Sequence, residues 1–295
     1  MPSKTVAVIV PTYHRKEKLI RCVSSFLKQT YENFQVVVID DASPNPVTLS
    51  WFVNQKKVVV LRNESNRKQA ASRNRGIRWA GAEICILIDD DCYVEDERWI
   101  EKHVNLNKRF PNHLVGGRIT NVTRTLWAKA RASLTRNGIQ YGNFLQTMNL
   151  SFSMATYEKL GGFNESFGEL EDVDFSQRGK KEGIGLIYDD SIEIFHEFDD
   201  KFGKILRRNF QYGRWTVPVR KSQRLDGHWI LPGGFVSSLI YYLPLSLLST
   251  AAQVLLALRE RPMTLFFSPL IFCYTLAHTA GMVSYYWKER PRHNS

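Results

Sequence analysis

Short apolar runs rich in β-branched residues recur through the first 120 positions, and helical spacing fills the gaps between them. Val6 to Val10, Val36 to Ile39, Val58 to Leu61 and Ile84 to Ile88 are such runs. Each is apolar on consecutive positions and too short for a helix, which predicts strands covered on both faces. Between them, Leu19, Ile20, Val23, Phe26 and Leu27 fall on one side of a helix over 16–28, and 69–80 carries a second helical pattern. Strands alternating with helices predict an α/β fold with a mostly parallel sheet flanked by helices. From 120 to 197 the pattern is weaker: 144–154 and 185–195 read as strands and 172–182 as a helix. No linker interrupts this region, so 1–198 reads as one domain.

The pattern changes after that. Residues 201–224 hold eight Lys or Arg and no acid. Phe202, Ile205, Leu206 and Phe210 recur at helical spacing among them, as in a basic amphipathic helix at a membrane surface. An interfacial segment is therefore expected over 199–228. Ile230 to Leu258 and Pro262 to Trp287 contain no charged residue. Each exceeds the roughly 20 residues needed to cross a bilayer. Residues 229–295 are expected to form two membrane helices and a basic tail. Two crossings return Lys288 to His293 to the side of the first domain, as the positive-inside tendency prefers, while Arg259 and Arg261 conflict mildly with it. A pair of buried core helices is the alternative.

Composition narrows the class. The chain has 295 residues, 43% hydrophobic and 23% charged, which is globular rather than disordered. The net charge of +11 suits a polyanionic partner such as an anionic membrane face, a phosphorylated substrate or nucleic acid. Much of it lies beside the apolar segments, so no nucleic-acid partner is expected. Cys22, Cys85, Cys92 and Cys273 form no CxxC pair, which argues against a zinc site or a disulfide framework. Met1 to Lys4 lacks the apolar core of a signal peptide, which predicts a first domain facing the cytoplasm.

Candidate chemistry gathers at the ends of the predicted strands. Asp89, Asp90 and Asp91 follow the fourth strand directly. Crowded carboxylates repel one another, and a hard divalent cation relieves that cost. Mg2+ or Mn2+ is expected. Asp40 and Asp41 close the second strand in the same way, and ligands of parallel sheets bind beyond these carboxyl ends. Asp41 can equally cap a turn. Arg67, Lys68, Arg73 and Arg75 supply groups suited to phosphate. Glu171 and Asp172 precede a helix; Asp172 is either its cap or a general base.

These motifs together resemble family 2 glycosyltransferases, inverting enzymes of the GT-A fold. The resemblance spans roughly 5–215. It rests on VIVPTYHR near Val8, VVVIDDAS near Val36, ASRNRGI near Ala71 and LIDDDCYVED near Leu87. LGGFNESFGELEDVDFSQR from Leu160 and QYGRW from Gln211 complete it. It implies a Rossmann-like GT-A domain over 1–198. Pro11, Thr12 and Tyr13 would line the nucleotide pocket, with Asp41 at the base and Asp40 and Asp90 nearby. Arg73 would approach the nucleotide or diphosphate. Asp89 and Asp91 match the DxD acids and would hold the metal, with His196 near it. Asp172 matches the catalytic base, beside Glu171. Gln211, Arg214 and Trp215 match the QxxRW motif of membrane polysaccharide synthases and would serve the acceptor or diphosphate. Two spans are too few to enclose a polymer channel, so transfer of one sugar to a lipid-linked or glycan acceptor at the cell membrane is expected. Membrane lipids are expected partners, and a homo-oligomer remains open. The rival readings are a metal-dependent nucleotidyltransferase and a non-catalytic membrane-anchored subunit that binds a nucleotide sugar.

Overall fold

The computed structural model describes residues 5–53, 55–134, 144–197, 201–224, 231–258 and 262–288. The N-terminal four residues, the 259–261 connection and the tail from 289, each invoked above for orientation, lie outside these. The chain divides into two compact units, 1–121 with 137–197, and 122–136 with 198–295.

The first unit is built on an eight-stranded sheet. Its strands are β1 (Val6–Thr12), β2 (Phe34–Asp40), β3 (Val58–Arg62), β4 (Ile84–Leu87), β5 (Cys92–Tyr93), β6 (His113–Val122), β7 (Leu150–Ser153) and β8 (Gly185–Glu197). They lie in the order β3-β2-β1-β4-β7-β6-β8-β5. The four apolar runs form the parallel part, with β1 between β2 and β4 and β3 outside β2. β7 then runs antiparallel to β4 and to β6, and β5 antiparallel to β8. The sheet is thus mixed, parallel only where the sequence pattern is strong. Of the strands outside the parallel part, β7 and β8 come from the region where periodicity gave little guidance.

Five helices flank this sheet: α1 (Lys16–Phe26), α2 (Lys68–Ala80), α3 (Trp99–Arg109), α5 (Met154–Lys159) and α6 (Glu171–Lys181), with α4 (Leu126–Ala132) belonging to the other unit. Alternation along β1 shows why two layers form. Val6, Val8 and Val10 face a core with Leu19 and Phe26 of α1 and Trp99 of α3. Ala7 and Ile9 face a second core with Ile77 of α2, Tyr157 of α5 and Phe175 of α6. Successive side chains of a strand point to opposite faces, so apolar residues at every position require cover on both.

The second unit is helical: α4, α7 (Phe202–Gln223), α8 (Phe235–Leu258) and α9 (Ser268–Lys288). α4 joins it because Ala128 and Ala130 pack with Ile205 of α7 and with Ile271 and Tyr274 of α9. Val122 to Leu134 thus group with the helical unit, in which α7 packs against α9. Two stretches are long and apolar enough to cross a membrane, Phe235–Leu256 and Thr264–Trp287. Only 22% and 33% of their most apolar windows are buried inside the protein. Ile240, Leu243, Leu247, Leu248 and Leu255 of α8 are exposed. A soluble core helix would hide such residues.

Candidate active site

Three parallel strands end together, and their next residues build the site. Asp41 N donates to Thr12 O at 2.9 Å, and Ile88 N donates to Ile9 O at 3.3 Å, so β2 and β4 stay in step with β1 to their ends. Thr12 Oγ1 donates to Asp90 Oδ2 at 2.6 Å. Arg15 Nη1 donates to Asp90 Oδ1 at 3.0 Å and to Asp91 Oδ2 at 2.7 Å. Burial pushes the Asp90 carboxyl up to about 6, helped by Asp91 and Asp89 and opposed by Arg15 and Thr12. Arg15 stands in the VIVPTYHR stretch, yet its role is invisible to local pattern because its partners lie 75 and 76 residues away.

Arg73 is wholly buried on α2 and joins two acids distant in sequence. Its Nη2 donates to Asp89 Oδ1 at 2.6 Å, and its Nη1 pairs with Glu171 Oε1. Burial works against the guanidinium charge, but Asp89 and Glu171 outweigh it and hold the group charged. A third bond runs to Gln69 Oε1. Arg73 is therefore an internal counter-ion here, which differs from a direct approach to the nucleotide. The pairing brings the start of α6 beside the triple aspartate. Asp172, half-buried, follows Glu171; burial and the Glu171 charge push its carboxyl up to about 7, against Val173 N–H and Arg73. The acids at 41, 89, 91 and 172 accordingly share one end of the sheet.

Asp40 and Asp41 divide their work. Asp40 is fully buried and accepts from Ser43 N at 2.9 Å, from Val47 N at 3.2 Å and from Arg62 Nη1. These bonds hold the turn after β2. Asp41 accepts from Arg67 N at 2.8 Å, Lys68 N at 2.9 Å and Asn63 Nδ2 at 2.7 Å. It thus ties down the backbone donors at the start of α2, a cap supplied from the turn after β2. Pro11 is buried within β1, and Tyr13 is 48% exposed.

Backbone strain marks the same region. His14, Ala42, Lys68 and Leu170 all have left-handed φ, at 55°, 62°, 71° and 65°. None is glycine, so each conformation costs free energy and persists because its surroundings impose it. Each borders a site residue: Tyr13, Asp41, Arg67 and Glu171.

His196 reaches the site through the pairing of β5 with β8, where Cys92 lies opposite it. Its Nε2 is 3.8 Å from Asp91 Oδ1, and its Nδ1 lies 2.8 Å from Asn121 Oδ1. Asn121, which sequence reasoning missed, fixes the ring so that Nε2 faces Asp91. Carboxylate oxygens and one imidazole fit Mg2+ or Mn2+. Among the described residues no three acidic, His or Cys side chains are gathered closely enough to hold an ion. Cys22 and Cys92 lie beside the acids, and burial followed by the aspartate charges raises both thiols, which keeps them neutral.

Gln211, Arg214 and Trp215 lie half-buried on α7, in the second unit. Gly213, between them, lies against the α9 backbone at His278 and Gly281.

Comparison with known proteins agrees with this architecture. The family model described as glycosyl transferase family 2 matches residues 7–166. Glycosyltransferase AglE of Haloferax volcanii is 25% identical over 298 residues, covering 95% of each chain. An uncharacterized glycosyltransferase of Haemophilus influenzae is 30% identical over 182 residues, 58% of this chain and 60% of its own. Among solved structures, the mannosyltransferase PcManGT from Pyrobaculum calidifontis, in complex with GDP-Man and Mn2+, is similar with a TM-score of 0.62 and 19% identity. The match covers 97% of this chain and 88% of that one, and it shows the GT-A-like fold.

Proposed function

The chain belongs to glycosyl transferase family 2, and from that premise we propose that this glycosyltransferase moves one sugar, with inversion, from a nucleoside diphosphate sugar to a hydroxyl of a lipid-linked or glycan acceptor at the cytoplasmic face of a membrane. The observation that carries the reading is the Arg73 bridge from Asp89 to Glu171. It sets a carboxyl raised to about 7 beside acids suited to a metal-bound diphosphate.

Asp172 is the general base: near neutral pH its ionised fraction takes the acceptor hydroxyl proton as the oxygen attacks the anomeric carbon. The nucleoside diphosphate leaves from the opposite face, so one displacement inverts the centre. Asp91, with His196 and Asp89, would hold Mg2+ or Mn2+, which supplies positive charge for the departing diphosphate. Arg73 orients Asp89 and Glu171 through its two ion pairs. Thr12 and Arg15 hold Asp90, and Asp41 fixes the loop where Arg67 and Lys68 begin α2. Pro11, Tyr13 and Asp41 are assigned to the nucleotide, and Gln211, Arg214 and Trp215 to the acceptor or diphosphate. Phe235–Leu256 and Thr264–Trp287 are the membrane anchor; the support is their low burial together with their length.

The test is a panel of nucleotide sugars offered to the protein in detergent, with and without membrane lipid extract. Release of nucleoside diphosphate with a new glycoside of inverted configuration is expected. Release of pyrophosphate, or a retained configuration, overturns the proposal.

A further inference from the structure

The described residues of the second unit carry positive charge and no acid. Among its described residues Arg124, Lys129 and Arg131 lie on 122–134 and eight further Lys or Arg on 201–224, with no Asp or Glu. α4 brings Lys129 to the wall of a cavity of about 400 Å³, lined also by Thr123, Ser133, Thr264 and Phe267. Thr264 is wholly buried, and its Oγ1 has no hydrogen-bond partner. Other buried threonines of this unit behave differently: Thr250 Oγ1 donates to Ser246 O at 2.8 Å and Thr275 Oγ1 to Ile271 O at 3.0 Å. A buried hydroxyl without a partner costs stability, and valine at that position would remove the cost.

The charge of Lys129 at the wall and an unused hydroxyl call for an anion with several acceptor oxygens. The rest of the wall is apolar, with Phe267 and Pro262, and it sits at the start of the apolar stretch Thr264–Trp287. We propose that this cavity binds the phosphate headgroup of an amphiphile, held by the charge of Lys129 and a hydrogen bond from Thr264 Oγ1. Use of that amphiphile as the sugar acceptor rests on the transfer reading above; its binding does not.

The test titrates the full chain in non-ionic detergent with dodecyl phosphate, dodecanol and inorganic phosphate, read by calorimetry. Saturable binding of dodecyl phosphate is expected, at least tenfold weaker in Lys129→Ala and in Thr264→Val, with dodecanol inert. Thr264→Val should also melt no lower than the parent without ligand, which separates lost binding from lost folding. Unchanged affinity in both variants, or equal binding of dodecanol, overturns the proposal. Inorganic phosphate binding as tightly as dodecyl phosphate overturns the amphiphile and leaves a free-anion site. Hydrolysis of the nucleotide sugar in the same samples reports on the transfer reading alone, so the two can fail separately.

Discussion

Gly213 on α7 and Gly281 on α9 face each other where the two helices cross. A Cβ on Gly213 would lie 1.9 Å from His278 O, and one on Gly281 would lie 2.0 Å from Phe210 O. These contacts are with backbone, which cannot swing aside, so only glycine permits this approach. The glycine inside QYGRW is thereby explained by packing, whatever Gln211, Arg214 and Trp215 do.

Gly213→Ala and Gly281→Ala should each destabilise the helical unit by about 1–3 kcal/mol, the usual cost of overpacking. Gly203→Ala on the same α7 meets nothing within 4 Å and should leave stability unchanged or slightly raised. Thermal melts in detergent compare the three. Equal melting of Gly213→Ala and Gly203→Ala would contradict the crossing.

Asp172→Asn should lower the rate of transfer by about 10²–10⁴, the range for a lost general base, while donor affinity stays within a fewfold. With its carboxyl raised to about 7, Asp172 is protonated at lower pH, so kcat/KM should fall tenfold per unit below about 7. The stability sign is opposite. The folded protein holds this proton more tightly than the unfolded chain, so its contribution declines as pH rises from about 4 to about 7 and is flat above. Asp172→Asn should flatten that slope in denaturation curves taken across this window.

Removing one member of a buried ion pair leaves an uncompensated charge, at a cost of about 3–5 kcal/mol. Arg73→Met should lose stability of that order, because Asp89 and Glu171 would both be stranded. Adding Glu171→Gln to Arg73→Met should recover part of it. Chemical denaturation of the single and double variants measures the coupling, and strict additivity would refute the bridge.

Asp91→Ala should lose Mn2+-dependent binding of the donor, read as nucleotide-sugar affinity with and without chelator. Asn121→Leu should weaken Mn2+ binding about 10–100-fold by releasing the His196 ring, as loss of an outer-shell partner does. Titration of Mn2+ by its paramagnetic resonance signal reports this apart from turnover.

The sequence by itself determined the parallel half of the sheet, its helices α1, α2 and α6, and the clustering of acids at strand ends. Periodicity and strand-end position are local properties, and they suffice where burial on both faces leaves no choice of residue. It also marked the two apolar stretches, since length and absence of charge need no partner. Only the tertiary structure decided what required distant contacts: the antiparallel pairing of β7 with β4 and β6 and of β5 with β8, the place of α4 in the helical unit, and the pairing of Arg73 with Asp89 and Glu171. Arg15 and Asn121 belong to the same class. Their chemistry depends on which group stands across the fold, and the energy of an ion pair or a ring-orienting hydrogen bond is set by a distance in space that spacing along the chain does not contain.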